Sequence, residues 1–210
     1  MKKSLSTQVT ILIVLMLSLS FLCACSNDNE DINSTNTINQ TLTESDKNAL
    51  LFMLEEEKLA RDTYIFLNNE WSLNQFANIK NSEQTHMSAV ESLLIQYDIE
   101  YNILPIGEFA NQDLQNFYDQ FILDGSVSQI NALKIGATIE DLDIVDLQNY
   151  IEATTNTDLI SVFNSLRCGS RNHLRSFVFG IENSGSTYEP QFLTSEEYNT
   201  IINGSNERCN

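Results

Sequence analysis

The sequence predicts an all-α protein, a four-helix bundle made of two helical hairpins joined by a long crossover. Three observations carry this. Apolar residues recur at helical spacing through two long stretches, 45–98 and 129–182. Each stretch is broken once near its middle by a turn-rich run, Asn68-Asn69-Glu70-Trp71-Ser72 in the first and Thr154-Thr155-Asn156-Thr157-Asp158 in the second. Neither strand-like alternation of any length nor a glycine-rich phosphate loop is found along the chain.

The N-terminal segment precedes this pattern. Lys2 and Lys3 stand before an apolar run from Val9 to Phe21, which reads as a secretory signal over 1–24 and is too short for a membrane span. The run ends in Leu22-Cys23-Ala24-Cys25, which resembles the lipobox of bacterial lipoproteins, with Cys25 as the lipidated residue because small Ala24 precedes it. The resemblance implies a lipid anchor in the cell envelope, facing the periplasm or the exterior. Residues 25–44 are polar and rich in Asn and Thr, as expected of a disordered tether. Removing the signal takes away two lysines, leaving nine basic residues against 29 acidic ones. That balance argues against nucleic acid as a partner and is compatible with attracting small cations.

The folded domain is expected over 45–204. Leu50, Met53, Leu54, Ala60, Tyr64 and Leu67 form the stripe of the first helix, which starts near Ser45 or Asp46. Ser72 followed by Gln75 predicts a capping box opening the second helix, lined by Phe76, Ile79, Met87, Val90, Leu94 and Tyr97. A crossover follows, broken by Pro105 and Gly107. It carries a short amphipathic helix around 111–123, with Gly125 suited to its C-terminal cap. The second hairpin has Leu133, Gly136, Ile144, Leu147 and Ile151 on one arm. Leu159, Phe163, Leu166, Ser170, Leu174 and Phe177 line the other. Thr194 and Glu197 predict a capping box for a short final helix.

The chain has two histidines, His86 and His173, and both fall inside these apolar stripes. A single histidine there is more often a core residue than a ligand. Here Glu57, Glu83 and Glu140 face the same interior, and buried charge is costly unless something pairs it. Glu57 and His86 lie about 14 and 15 residues from their turn. At ~1.5 Å per residue both stand roughly 20 Å up the hairpin. Glu140 and His173 are placed alike in the second hairpin, and Glu83 shares a face with His86. Carboxylates with imidazoles suit iron or manganese, with zinc a further fit.

These residues also carry a resemblance. Glu57-Lys58-Leu59-Ala60-Arg61-Asp62-Thr63-Tyr64 resembles the first-helix motif of rubrerythrins, and Glu83-Gln84-Thr85-His86 looks like the Glu-x-x-His of ferritin-like di-iron proteins. Glu55 to Asp62 and Gly169-Ser170-Arg171-Asn172-His173-Leu174 are similar to the uncharacterised ferritin-like family catalogued as domain of unknown function 2202. The resemblance implies a ferritin-like bundle holding one or two iron ions, or manganese, on Glu57, Glu83, His86, Glu140 and His173. It implies oxidoreductase chemistry of a peroxidase or ferroxidase kind on dioxygen or hydrogen peroxide. The alternative is a metal-binding or interaction bundle without turnover.

The fourth helix departs from the pattern, with Ser170 where a Glu is expected, so a second metal position lacks a carboxylate. Asp143 and Glu56 are candidates to compensate, although acidic side chains are by default solvated. Arg167 and Arg171 would either back the carboxylates or reach to solvent. The chain has no Cys-x-x-Cys, hence no rubredoxin-like segment, and electrons must come from an external donor or from Fe(II) as substrate. With Cys25 acylated, Cys168 and Cys209 remain, either as a disulfide or as two free thiols.

Overall fold

The computed structural model describes residues 41–209. The expected signal over 1–24, the acylated Cys25 and the tether as far as residue 40 lie outside the described residues. Among these residues there are six helices and no strand: α1 (Glu44–Trp71), α2 (Asn74–Gln96), α3 (Gln112–Gly125), α4 (Gln129–Ala153), α5 (Thr157–Asn183) and α6 (Ser195–Ile202). None is long and apolar enough to cross a membrane. Helices α1 and α2 pack as one antiparallel hairpin and α4 and α5 as another. The hairpins meet through α1 against α4 and α2 against α5, while α3 leans on α1 and α4.

The helix starts follow from side-chain chemistry. Thr43 accepts from the Asp46 N–H while Asp46 reaches back to the Thr43 N–H, so α1 begins at Glu44, just inside the stretch read as tether. Asn111, Ser128 and Asn156 cap α3, α4 and α5 through their side-chain oxygens, and Thr194 with Glu197 forms the expected capping box of α6. The start of α2 differs from expectation. Ser72 stands in the left-handed region at φ 53° and ends α1, its N–H donating to Asn68 O at 2.9 Å. An N-cap needs extended backbone, so Ser72 does not open α2, whose N-cap is Leu73 without a side-chain bond. Gly125 is likewise no left-handed cap. It is the last residue of α3, where a Cβ would stand 2.7 Å from Leu67 Cδ2, so its role is close approach to α1.

The core is split in two. One apolar cluster gathers Leu50, Met53, Leu54, Met87, Val90, Leu94, Leu147 and Phe163. The other gathers Leu59, Tyr64, Phe76, Ala132, Leu133, Leu174 and Phe177. Between them each long helix contributes buried polar groups: Glu56 and Glu57 from α1, Glu83 and His86 from α2, Glu140 and Asp143 from α4, Ser170 and His173 from α5. The crossover is fastened to α1 beside this band. Lys58, 1 % exposed, donates from Nζ to Asp62 at 2.5 Å, Pro105 O at 2.8 Å and Glu108 O at 3.0 Å, and sits 4.2 Å from the centre of the Phe109 ring. Asp62 also accepts from the Gly107 N–H and from Arg61. Glu55 takes the N–H groups of Ala110 and Asn111, both at 2.8 Å. Glu55, Lys58 and Asp62, spread over about two turns of α1, thus bind the crossover, while Glu57 on the same helix looks inward.

The tail is tied down as well. Asp141, fully buried, accepts from the Tyr188 hydroxyl and from the N–H groups of Gln191, Phe192 and Leu193. Cys168 and Cys209, separated by 41 positions, form a disulfide with their Cα atoms 5.5 Å apart. Arg171 and Arg175 pair with Glu207 in the same tail segment.

Candidate metal centre

The sequence-predicted ligands meet in the polar band. Glu83 and His86 lie one turn apart on α2, and His86 Nδ1 is 2.8 Å from Glu83 Oε2 and 3.1 Å from Glu57 Oε2 on α1. Across the hairpin boundary, His173 Nδ1 on α5 is 2.8 Å from Glu83 Oε1 and 3.4 Å from Glu140 Oε2 on α4. The two imidazoles stack with centroids 5.5 Å apart. Two groups result, Glu57–Glu83–His86 and Glu83–Glu140–His173, each with ligand atoms within 4.8 Å of one another, and Glu83 belongs to both.

Residues outside this set hold it in place. Tyr64, fully buried against Phe76 and Phe177, donates its hydroxyl to Glu140 Oε1 at 2.6 Å. Ser82 Oγ lies 3.0 Å from His173 Nε2, leaving Nδ1 to face the carboxylates. A Cβ at Gly169 would stand 2.6 Å from His86 Nε2, so only glycine lets α5 approach that ring. Spacing alone did not single out Ser82 or Gly169, because each acts across an interhelical contact.

Asp143 and Glu56, by default surface residues, are both buried. Asp143 accepts from the Ser170 hydroxyl, so a carboxylate from α4 reaches the gap left on α5. The arginines do not back the centre: Arg171 pairs with Glu207 and Arg167 donates to Asn164.

The donor chemistry fits a cation. Glu57 Oε1 and Asp143 Oδ1 are buried without a hydrogen-bond partner, a costly state for an oxygen acceptor unless a cation or proton meets it. Ligands at about 2.0–2.2 Å from an ion lie within about 4.4 Å of each other, close to the spacing already present. Carboxylate oxygens with two imidazole nitrogens suit manganese, iron or zinc.

Electrostatics link the centre to protons. Burial raises Glu57 to about 7 against the pull of His86, and Glu83 adds to the rise. Burial also works to raise Glu83, but His173 and His86 outweigh it and hold the carboxyl below its usual range. Burial disfavours charge on both rings. Glu57 and Glu83 nevertheless push His86 well above its ordinary value, and Glu83 with Glu140 pushes His173 up to about 10. In the metal-free protein both rings therefore carry protons at neutral pH. The His173 shift stabilises the fold fully below its ordinary 6.5, and that contribution fades as pH climbs through about 10. Ligation at Nδ1 needs a neutral ring and ligation by Glu57 an ionised carboxylate, so filling both groups at neutral pH should release at least about two protons, and affinity should rise with pH. Calorimetry in buffers of differing protonation enthalpy measures this; uptake without proton release would contradict it.

Comparison with known proteins places the chain among uncharacterised relatives. The family model described as an uncharacterized protein domain, DUF2202, matches residues 46–205. The chain is 48% identical over 171 residues to the uncharacterized protein MJ0754 of Methanocaldococcus jannaschii, covering 80% of this chain and 92% of that protein. The crystal structure of the hypothetical protein MJ0754 is similar at a TM-score of 0.79 and 48% identity, over 80% of this chain and 97% of that one.

Proposed function

From the premise that the chain belongs to the DUF2202 family, we propose that it is a ferritin-like four-helix bundle of the cell envelope. Its buried centre would hold one or two iron or manganese ions for redox chemistry on dioxygen or hydrogen peroxide. The observation that carries this reading is the sharing of Glu83 by two Glu–Glu–His groups inside an otherwise apolar core. When bound, such an ion supplies an open coordination position and electron-transfer chemistry for a small oxidant.

The chain's own residues divide the remaining work. Glu57 and His86 would hold one position, Glu140 and His173 the other, and Glu83 would join them. Tyr64 fixes Glu140, and Ser82 holds the orientation of the His173 ring. Ser170 is no ligand substitute, so one ion is expected to bind tightly and the second loosely. Electrons would come from an external donor, or Fe(II) would itself be the substrate. Acylated Cys25 and the polar tether after it belong to this proposal. Mass spectrometry finding the native chain unmodified and free in the medium would reject the anchor.

Metal analysis of protein purified from its native host tests the centre, followed by peroxide consumption by the loaded protein. Stoichiometric iron or manganese with turnover is the expected result. Stoichiometric metal without turnover would leave a metal-binding protein, and no metal would leave an interaction bundle.

A further inference from the structure

Among the described residues the Cys168–Cys209 disulfide is the one group open to thiol exchange, and the ligand set above does not use it. It stands close behind the centre. Cys168 immediately precedes Gly169 on α5, where a Cβ would lie 2.6 Å from His86 Nε2. With ~1.5 Å for a carbon–carbon bond and ~3.8 Å between successive Cα atoms, Cys168 Cα is within roughly 8 Å of that ring nitrogen. Its sulfur, two bonds further on, is then at most ~11 Å away, the diameter of one helix. His86 Nδ1 faces Glu83 and Glu57, so the Nε2 edge is the one turned to α5. Two consecutive residues of α5 thus connect the disulfide to a ligand of the centre.

The tail that brings Cys209 here is held by more than the disulfide. Glu207 accepts from Arg171 Nε at 2.8 Å and from Arg175 at 2.9 Å. Its backbone exchanges two bonds with the Asn172 side chain, the N–H donating to Oδ1 at 2.9 Å and the carbonyl accepting from Nδ2 at 3.1 Å. These contacts keep Cys209 beside Cys168 after reduction, so the bond can re-form without a search. Cys209 is exposed and Cys168 buried, so an incoming thiolate meets Cys209 first. Asn172 Nδ2 lies 3.4 Å from Cys209 Sγ, placed to donate to a thiolate released there.

We infer that Cys168 and Cys209 are a dithiol–disulfide couple that takes two electrons from an external dithiol and passes them across Gly169 to the centre. A thiolate of the donor attacks Cys209 Sγ, the S–S bond breaks, and Cys168 leaves as a thiolate that takes up a proton. The donor's second thiol gives up its proton and attacks the donor sulfur of the mixed disulfide. The donor departs as a disulfide and Cys209 as a thiol. When Cys168 and Cys209 rejoin, they give up two electrons and two protons. One hydrogen peroxide takes these up and becomes two waters, so one donor dithiol is oxidised for each peroxide reduced. The inference rests on the central metal reading, since a redox ion must receive the electrons, and it gives the external donor a chemical class.

The test has two arms, both on the full chain. In the metal-free chain dithiothreitol should open the disulfide without loss of helical circular dichroism, and oxidised dithiothreitol should close it again. Alkylation and peptide mapping count the two thiols. A disulfide that opens only when urea unfolds the chain is a structural staple, and that result would overturn the inference. For the second arm the opened chain, freed of reductant, is loaded with Fe²⁺ without air and given one hydrogen peroxide for every two irons. The disulfide should re-form at least tenfold faster than in the metal-free chain, and Mössbauer spectroscopy should find the iron returned to Fe²⁺. In Cys209→Ser the iron should stay Fe³⁺, although dithionite still reduces it. Iron that is bound and oxidised while the thiols persist, or close no faster than without metal, would sink the relay and leave the central reading standing. A chain that takes up no iron would bring down both.

Discussion

Glu83→Gln should lower metal affinity at both positions of the centre at once, by at least about a hundredfold. Even residues that only orient a ligand typically cost ten- to a hundredfold when changed, and Glu83 would be a ligand to both ions. It is the carboxylate that meets both imidazoles, His86 on its own helix at 2.8 Å and His173 on α5 at 2.8 Å. Glutamine keeps the volume and one oxygen, so the fold should survive. The histidine variants give the contrast. His86→Ala removes a ligand from the first group only, and His173→Ala from the second only, so each should spare one position. Competition with a chelator of known affinity reads all three. Normal affinity in Glu83→Gln would show that Glu83 is not shared.

Lys58→Met should cost the metal-free protein about 3 kcal/mol of unfolding free energy. Removing one member of a fully buried ion pair typically costs 3–5 kcal/mol, because the partner's charge stays behind without compensation. Here Asp62, with no exposed side-chain surface, would keep Arg61 and the Gly107 N–H, which argues for the lower end of that range. The carbonyls of Pro105 and Glu108 would lose a charged donor, and the Phe109 ring its cation. Hydrogen exchange should show residues 104–110 opening well before the long helices. Urea unfolding followed by circular dichroism supplies the free energy. A loss below about 1 kcal/mol would mean that the crossover is held by its apolar contacts, with the ammonium contributing little.

The second result bears on a stretch of α1 where Glu55, Lys58 and Asp62 bind the crossover while Glu57 faces the centre. That division was not legible in the motif. The resemblance to a metal-binding helix pointed at Glu57 and was silent about its neighbours, whose partners lie some 45 to 56 positions away. The same blindness explains Ser72. Its spacing to Gln75 matches a capping box, but the residue was needed in the left-handed region to end α1, and one backbone cannot do both.

By itself the sequence determined that the chain is helical, where its long helices turn, and that Glu57, Glu83, His86, Glu140 and His173 face inward at one level. Helical period and rise are local properties, so face and height can be counted along the chain. Only the tertiary structure decided which helices are neighbours. That choice brings His173 to Glu83 across the hairpin boundary, buries Glu56 and Asp143 where solvated acids were the default, and turns Asp143 to meet Ser170. Residues at the edge of an apolar stripe are buried or exposed according to the helix laid against them, and periodicity carries no information about that partner.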